Sequence, residues 1–244
     1  MRRKRLDQLL VERGIAESAQ KALGMILAGE VLVDGNRQDK AGTQVAESAR
    51  IELASRSQKY ASRGGLKLEG ALADFLVSVE RKVCLDVGSS TGGFTDCLLQ
   101  HGAARVYAVD VTVDQMAWKL HEDARVIRIE KNARELRAVD LPEAVDVVAA
   151  DVSFISVRRV LGPAATAAKA GSEWLILIKP QFELPREDVG PGGIVEDPVL
   201  HEKAIAEVRL AAEAAGLDCL AVRASRLTGT EGNQEYFLHA RKKQ

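Results

Sequence analysis

The feature that most constrains this chain is the stretch Val83 to Phe94. An apolar run carrying one acid, Val83-Cys84-Leu85-Asp86-Val87, breaks into Gly88-Ser89-Ser90-Thr91-Gly92-Gly93 and resumes at Phe94. A strand ends where the small residues begin, because glycine and serine let the chain turn sharply and let its backbone approach a ligand. The helix start behind such a turn offers free N–H groups, so the pattern describes a nucleotide-type site. Further apolar strand-like runs lie at 105–110, 125–129, 145–150 and 173–178, with an amphipathic helix expected at 66–77 and helical segments between most of the strands. The alternation predicts an α/β fold with an open, mostly parallel sheet and helices on both faces. Pro180 to Asp197, with Pro185, Gly190, Pro191, Gly192 and Gly193, reads as a long loop. A helix over 199–215 and two strands, about 219–225 and 235–241, follow, the last two suited to antiparallel pairing.

The front of the chain follows another pattern. Leu6/Leu9/Leu10 and Ala22/Met25/Ile26 repeat at helical spacing, with Gly14 ending the first segment and Ser18 placed to cap the second. Val31-Leu32-Val33 runs into the hairpin pair Asp34-Gly35, and Arg50-Ile51-Glu52-Leu53 is a further strand signal. These residues predict a small α+β unit over 1–58, a linker over 59–64 within the polar stretch Ala54 to Gly65, and a large domain over 65–244. Residues 1–60 hold 11 Lys/Arg against 8 Asp/Glu, within a chain of net charge −1. A mildly basic front end is compatible with a polyanionic partner. Cys84, Cys97 and Cys219 are scattered through apolar stretches, which argues against a disulfide framework or a metal cluster, and His101, His121, His201 and His239 lack metal-like spacing. Acid interrupts the basic start at Asp7, and no uncharged run approaches the ~18 residues of a membrane span. A cytoplasmic protein without stable membrane association is expected.

The glycine turn misses the nicotinamide fingerprint, since Ser90 replaces its second glycine and Gly93 falls one position early. The spacing Asp86-x-Gly88-x-Ser90-x-Gly92 instead resembles the first motif of class I methyltransferases, whose acid faces the methionine ammonium of S-adenosylmethionine. That resemblance implies a cofactor site at Asp86, Gly88, Ser89, Ser90, Thr91, Gly92, Gly93 and Phe94. Asp110 ends the second strand, where an acid accepts both ribose hydroxyls, and Asn132 after the third strand is placed for the adenine edge. Asp151 ends the apolar run 145–150, and Lys179 closes Trp174-Leu175-Ile176-Leu177-Ile178. Both fall at the carboxyl edge of the sheet, where open α/β folds hold their ligands. Two readings of this pair stand. One is a buried ion pair at the sheet edge; the other is a base, with burial lowering the lysine's affinity for protons while the carboxylate orients it and opposes that shift.

Several blocks then occur in order: Arg5-Leu6-Asp7, Ser62-Arg63-Gly64-Gly65-Leu66-Lys67-Leu68, the glycine turn, Asp151-Val152-Ser153-Phe154-Ile155-Ser156, Lys179-Pro180-Gln181-Phe182-Glu183, Val189-Gly190-Pro191-Gly192-Gly193 and Gly232-Asn233-Gln234-Glu235-Tyr236-Phe237. Together they resemble the TlyA, or haemolysin A, family of ribosomal RNA cytidine 2′-O-methyltransferases, within the RrmJ/FtsJ-like group. The resemblance implies a Rossmann-like domain with a seven-stranded, mostly parallel sheet behind an S4-like RNA-binding domain. It places a Lys-Asp-Lys-Glu tetrad on Lys67, Asp151, Lys179 and Glu235, with Lys179 nearest the target hydroxyl, Asp151 orienting it, and Lys67 and Glu235 positioning the ribose and its phosphates. Asp151 also borders the implied cofactor. Arg2, Arg3, Lys4, Arg5, Lys21 and Arg63 are the candidate RNA contacts, although Ala19 and Gln20 stand where family members often carry Arg. The expected partner is ribosomal RNA within ribosomal subunits, acted on by a monomer. The rival readings are the same chemistry on another RNA, a non-enzymatic RNA-binding protein, and a cytolysin.

Overall fold

The computed structural model describes residues 3–27, 29–38, 40–53, 59–229 and 232–244, so the candidate RNA contact Arg2 and residues 54–58 of the polar stretch before the expected linker lie outside the described residues. The chain divides into two compact units, Met1–Gln58 and Lys59–Gln244.

In the first unit, β1 (Arg3–Arg5) leads directly into α1 (Leu6–Glu12), then α2 (Ala19–Leu27), β2 (Val31–Val33), β3 (Asn36–Gln38), β4 (Gln44–Ala46) and β5 (Ile51–Leu53). The helices face each other through the residues whose spacing predicted them. Leu6, Leu9, Leu10, Ala22, Met25 and Ile26 form one cluster with Val31, Val33 and Val45. Asp34 and Gly35 both take positive φ, 50° and 81°, the conformation of a tight hairpin turn between β2 and β3. β5 pairs with β2 on its other side, and β1 pairs antiparallel with β4. The pattern had not announced β1 or β4: the three polar residues of β1 and the single buried Val45 of β4 make segments too short to carry a periodicity of their own, and pairing with each other makes them strands.

The second unit opens with α3 (Arg63–Phe75) and continues through β6 (Val83–Val87), α4 (Gly93–Gln100), β7 (Arg105–Asp110), α5 (Trp118–His121), β8 (Val126–Glu130), β9 (Val145–Ala150), α6 (Arg158–Ala167), β10 (Ala168–Ile178), α7 (Pro180–Glu183), α8 (Pro198–Ala214), β11 (Leu217–Ala224) and β12 (Tyr236–Lys242). Seven strands form one sheet in the order β11-β12-β10-β9-β6-β7-β8. Only β12 runs against its neighbours, antiparallel to both β10 and β11. The central strands read as unbroken apolar runs because both of their faces are covered. Trp174, Ile176 and Ile178 of β10 join a core with α6 and α8, while Leu175 and Leu177 join the opposite core with α3 and α4.

Two expectations shift here. Residues 59–64 are part of the second unit: Tyr60 is buried, Ala61 N–H donates to Asp96 at 2.7 Å, and α3 begins at Arg63 rather than Leu66. Gly93 shows why the segment packs so closely, since a Cβ there would lie 2.1 Å from Ser62 Oγ. The long loop 180–197 is not featureless. It holds α7 and two 3₁₀ turns, and it buries Leu184 and Val195 against Ala204 of α8.

Candidate active site

The strands β6, β7, β9 and β10 are parallel, so their carboxyl ends share one edge of the sheet. Asp86, Asp110, Asp151 and Lys179 stand at that edge. Because β12 runs the other way, its beginning comes to the same edge. Ile178 pairs with Tyr236, so Lys179 and Glu235 occupy the next position of the register. Lys67 reaches this edge from α3, and its Nζ donates to Glu235 Oε2 at 2.5 Å. Lys179 Nζ lies 2.5 Å from Asp151 Oδ1 and donates to Ser153 Oγ at 2.8 Å. The four residues named as a tetrad thus form two ion pairs, Lys179–Asp151 across the ends of β10 and β9, and Lys67–Glu235 between α3 and the start of β12. Lys67 and Lys179 are each 8% exposed and Glu235 2%. Charges this buried cost several kcal/mol each to desolvate, so stability is a poor reason to keep them.

The glycine turn lies beside these pairs. Gly88, at φ 87°, packs so closely that a Cβ would meet Asp151 O at 2.2 Å, which ties the turn to the start of the Asp151 loop. Asp151 N–H also donates to Val87 O at 2.9 Å. Asp86 is wholly buried, and burial pushes its carboxyl up to about 7, with the Asp151 and Asp110 charges adding to the rise and Thr95 opposing it. Thr95 Oγ1 donates to Asp86 Oδ2 at 2.6 Å, whereas Asp86 Oδ1 is buried without a hydrogen-bond partner among the described residues. An unpartnered carboxylate oxygen fits a cationic group. Asp110 accepts from Ser90 N–H at 2.9 Å and Thr112 N–H at 3.1 Å, which fixes its carboxylate at the rim. Asn132 Oδ1 caps the 3₁₀ turn at Ala133 by accepting from Arg134 N–H, leaving its amide N–H₂ for a ligand.

A cleft of about 490 Å³ runs along this edge and is lined by Gly88, Ser90, Asp110, Asn132 and Asp151 of the expected cofactor set, and also by Gln115, Lys131, Arg134, Ser153 and Phe154. The cleft and the orphaned Asp86 oxygen fit S-adenosylmethionine. Asp86 and Ser89 are buried, at 0% and 3% exposure, and do not line the cleft. Thr91 O accepts from Ala117 N–H, Gly92 starts α4, and Gly93 packs on Ser62. Phe94 is 3% exposed and faces Phe237 in the α3/α4 core at a 6.2 Å ring separation. The structure therefore does not bring Thr91, Gly92, Gly93 or Phe94 to the cleft wall; they form the turn and its packing. Ser153 was missed, although it stands two residues after Asp151 in a block already noted. A lone serine carries no pattern, and only its bond to Lys179 singles it out. Ser90 and Phe154, both non-glycine, hold positive φ of 47° and 66° at the cleft, the local strain that collects at binding sites.

The expected RNA contacts separate. Lys4 pairs with Glu12 at 2.6 Å and Arg5 with Asp7 at 2.6 Å. Arg3 and Lys21 are exposed and make no ion pair among the described residues. Arg63 belongs to the second unit, where it donates to Thr228 O at 3.3 Å. No described helix is long and apolar enough to cross a membrane.

A seven-stranded sheet of this order, with a glycine turn, a cleft and a lysine-carboxylate tetrad at its carboxyl edge, is the arrangement of an RNA 2′-O-methyltransferase. The FtsJ-like methyltransferase model matches residues 60–242, and the S4 domain model matches residues 4–51. The 16S/23S rRNA (cytidine-2′-O)-methyltransferase TlyA of Mycobacterium tuberculosis is 43% identical over 242 residues, 98% of this chain and 90% of that one. Hemolysin A of Brachyspira hyodysenteriae is 41% identical over 237 residues, 96% of this chain and 98% of that one. A solved structure from Streptococcus thermophilus, carrying a hemolysin name, superposes with a TM-score of 0.76 at 39% identity, covering 100% of this chain and 90% of the other. The chain belongs to the FtsJ-like methyltransferase family, in the branch whose members carry the names TlyA and hemolysin A.

Proposed function

We propose that this protein transfers a methyl group from S-adenosylmethionine to the 2′-hydroxyl of a cytidine ribose in ribosomal RNA. The observation that carries the reading is Lys179 paired with Asp151, which lines the cleft, with Lys67 paired to Glu235 at the adjoining position of the sheet edge. When bound, S-adenosylmethionine supplies an electrophilic methyl on a sulfonium. Asp86, Asp110 and Asn132 are the residues that would hold it, through its ammonium, ribose and adenine in that order. Lys179 takes the proton from the ribose hydroxyl, and Asp151 balances the charge that then develops on the amine. Lys67 and Glu235 hold the ribose and its phosphates in line. The proteins named TlyA act on rRNA, and their 43% identity over nearly the whole chain supports the same substrate class here.

Residues 1–58 are assigned to RNA docking and the unit from Lys59 onward to catalysis. Among the candidate RNA contacts, Arg3 and Lys21 are exposed and make no ion pair among the described residues, which suits them to phosphate contacts that give salt-sensitive affinity, while the target nucleotide is selected by RNA shape. The reaction is assigned to the cytoplasm, where ribosomal subunits are found.

The test is incubation with radiolabelled S-adenosylmethionine and purified ribosomal subunits, followed by nucleoside analysis. Wild type should label a 2′-O-methyl ribose, and Lys179→Ala should lose roughly 10²- to 10⁴-fold in rate, the usual contribution of a general base. No label in any RNA from the wild-type protein abandons the enzyme assignment; full activity in Lys179→Ala abandons the base.

A further inference from the structure

Lys179 has two close partners, and they differ in kind. Asp151 Oδ1 is the nearer at 2.5 Å, yet it counts among the buried atoms without a hydrogen-bond partner, because its angle to the amine falls outside hydrogen-bonding geometry. Ser153 Oγ lies at 2.8 Å and does accept a directed hydrogen bond from the same Nζ. Charge attraction over such a distance barely depends on rotation about the Cε–Nζ bond. A hydrogen bond depends on it strongly, weakening below ~120°. The group that aims the amine is therefore the hydroxyl.

The backbone holds Ser153 in place for this. Asp151 N–H is tied to Val87 O, Val152 is buried in the core, and Phe154 turns the chain at φ 66°. Both Ser153 and Asp151 line the cleft. Resting on the methyltransferase reading above, we propose that Ser153 is a positioning residue that fixes the rotation of the Lys179 amine, leaving its lone pair for the ribose hydroxyl. The resting ammonium first releases one proton to solvent in the cleft that Asp151 and Ser153 line. The neutral amine so formed carries two N–H bonds and one lone pair; one N–H engages Ser153, the other turns towards Asp151, and the lone pair accepts the hydroxyl proton. The electrons of the broken O–H bond remain on the ribose oxygen as the O–CH₃ bond forms and the C–S bond gives its pair back to sulfur. Nζ ends as an ammonium held between Ser153 and Asp151.

The test compares full-length wild type, Ser153→Ala and Ser153→Thr on ribosomal subunits with radiolabelled S-adenosylmethionine. Ser153→Ala should lower kcat about tenfold, the effect of one aligned hydrogen bond, with both KM values within about twofold of wild type. Ser153→Thr, which keeps the hydroxyl, should restore most of the rate. A second measurement needs neither cofactor nor RNA. In protein labelled with ¹⁵N-lysine, the Lys179 ammonium signal, assigned by its loss in Lys179→Arg, should exchange its protons with water several-fold faster in Ser153→Ala than in wild type or Ser153→Thr. Unchanged kcat and exchange in Ser153→Ala overturn the proposal, as does a rate loss that Ser153→Thr fails to restore. A wild-type protein that methylates no RNA would instead overturn the reading of function, and the exchange measurement would still judge the Ser153 contact on its own.

Discussion

The two ion pairs of the site each join a lysine to a carboxylate, yet they are not equivalent. Lys67–Glu235 is closed: its side chains are 10% and 2% exposed, and the Lys67 amine donates an aligned hydrogen bond. Lys179–Asp151 is more open on its acid side: the Lys179 side chain is 10% exposed, as that of Lys67 is, but the Asp151 side chain is 20% exposed at the cleft, and the aligned bond of Lys179 goes to a serine instead. A closed pair of charges is suited to holding geometry, whereas a pair whose acid lines the cleft sets its amine beside a bound substrate. Position in the fold, and not residue type, separates the supporting pair from the reacting one.

The sharpest way to break this contrast is to remove one lysine from each pair. Lys67→Ala leaves Glu235 as an unpaired charge with almost no solvent, and a loss of about 3–5 kcal/mol in chemical denaturation is expected. Lys179→Ala should cost clearly less, because water in the cleft reaches Asp151. Equal losses would show that the second pair is as closed as the first. Replacing both members of the closed pair, Lys67→Met with Glu235→Leu, should recover most of the stability while methyl transfer stays lost.

A smaller effect concerns the buried carboxylate of β6. Asp86 is held protonated in the folded chain up to about pH 7, against an ordinary value of 3.8. The folded state binds the extra proton between those limits, so this group makes stability fall as pH rises from about 4 to about 7. Binding of a cation runs the other way, and affinity for S-adenosylmethionine should rise through neutral pH in calorimetric titrations. Asp86→Asn should flatten both dependences; an unaltered pH profile of binding in that variant would remove Asp86 from the cofactor site.

The smallest changes are expected in the first unit. Arg3→Ala and Lys21→Ala should each reduce the slope of log affinity against log salt for RNA by roughly one, with sequence preference unaltered. Lys4→Ala and Arg5→Ala should change it less, since Glu12 and Asp7 already compensate those charges. Equal slopes for all four variants would mean that local pairing does not govern which cations meet RNA.

Much of the site was legible in linear order because parallel strands bring their carboxyl ends to one edge whatever lies between them. Asp110, Asp151 and Lys179 each close an apolar run and Asp86 stands one residue before the end of its own, so each falls at that edge. Phe94 shows the limit of that reasoning: it belongs to the glycine turn by position but points into the α3/α4 core, since the first turn of α4 buries that face. Residues 59–64 show another, because a small, polar stretch reads as a linker until Tyr60 and Asp96 dock it on the second unit.

What the chain determines by itself is the local alphabet: apolar runs long enough for doubly covered strands, a glycine turn that admits a ligand, and a first unit with helical spacing and a hairpin pair. Those follow from steric freedom and periodicity within a few residues. The tertiary structure alone decided that Lys67 meets Glu235 across 168 positions, that β12 reverses direction to bring Glu235 level with Lys179, and that Ser153 rather than Asp151 aligns with the amine. Contacts of that kind depend on sheet register and on angles between atoms, which only the packed chain defines.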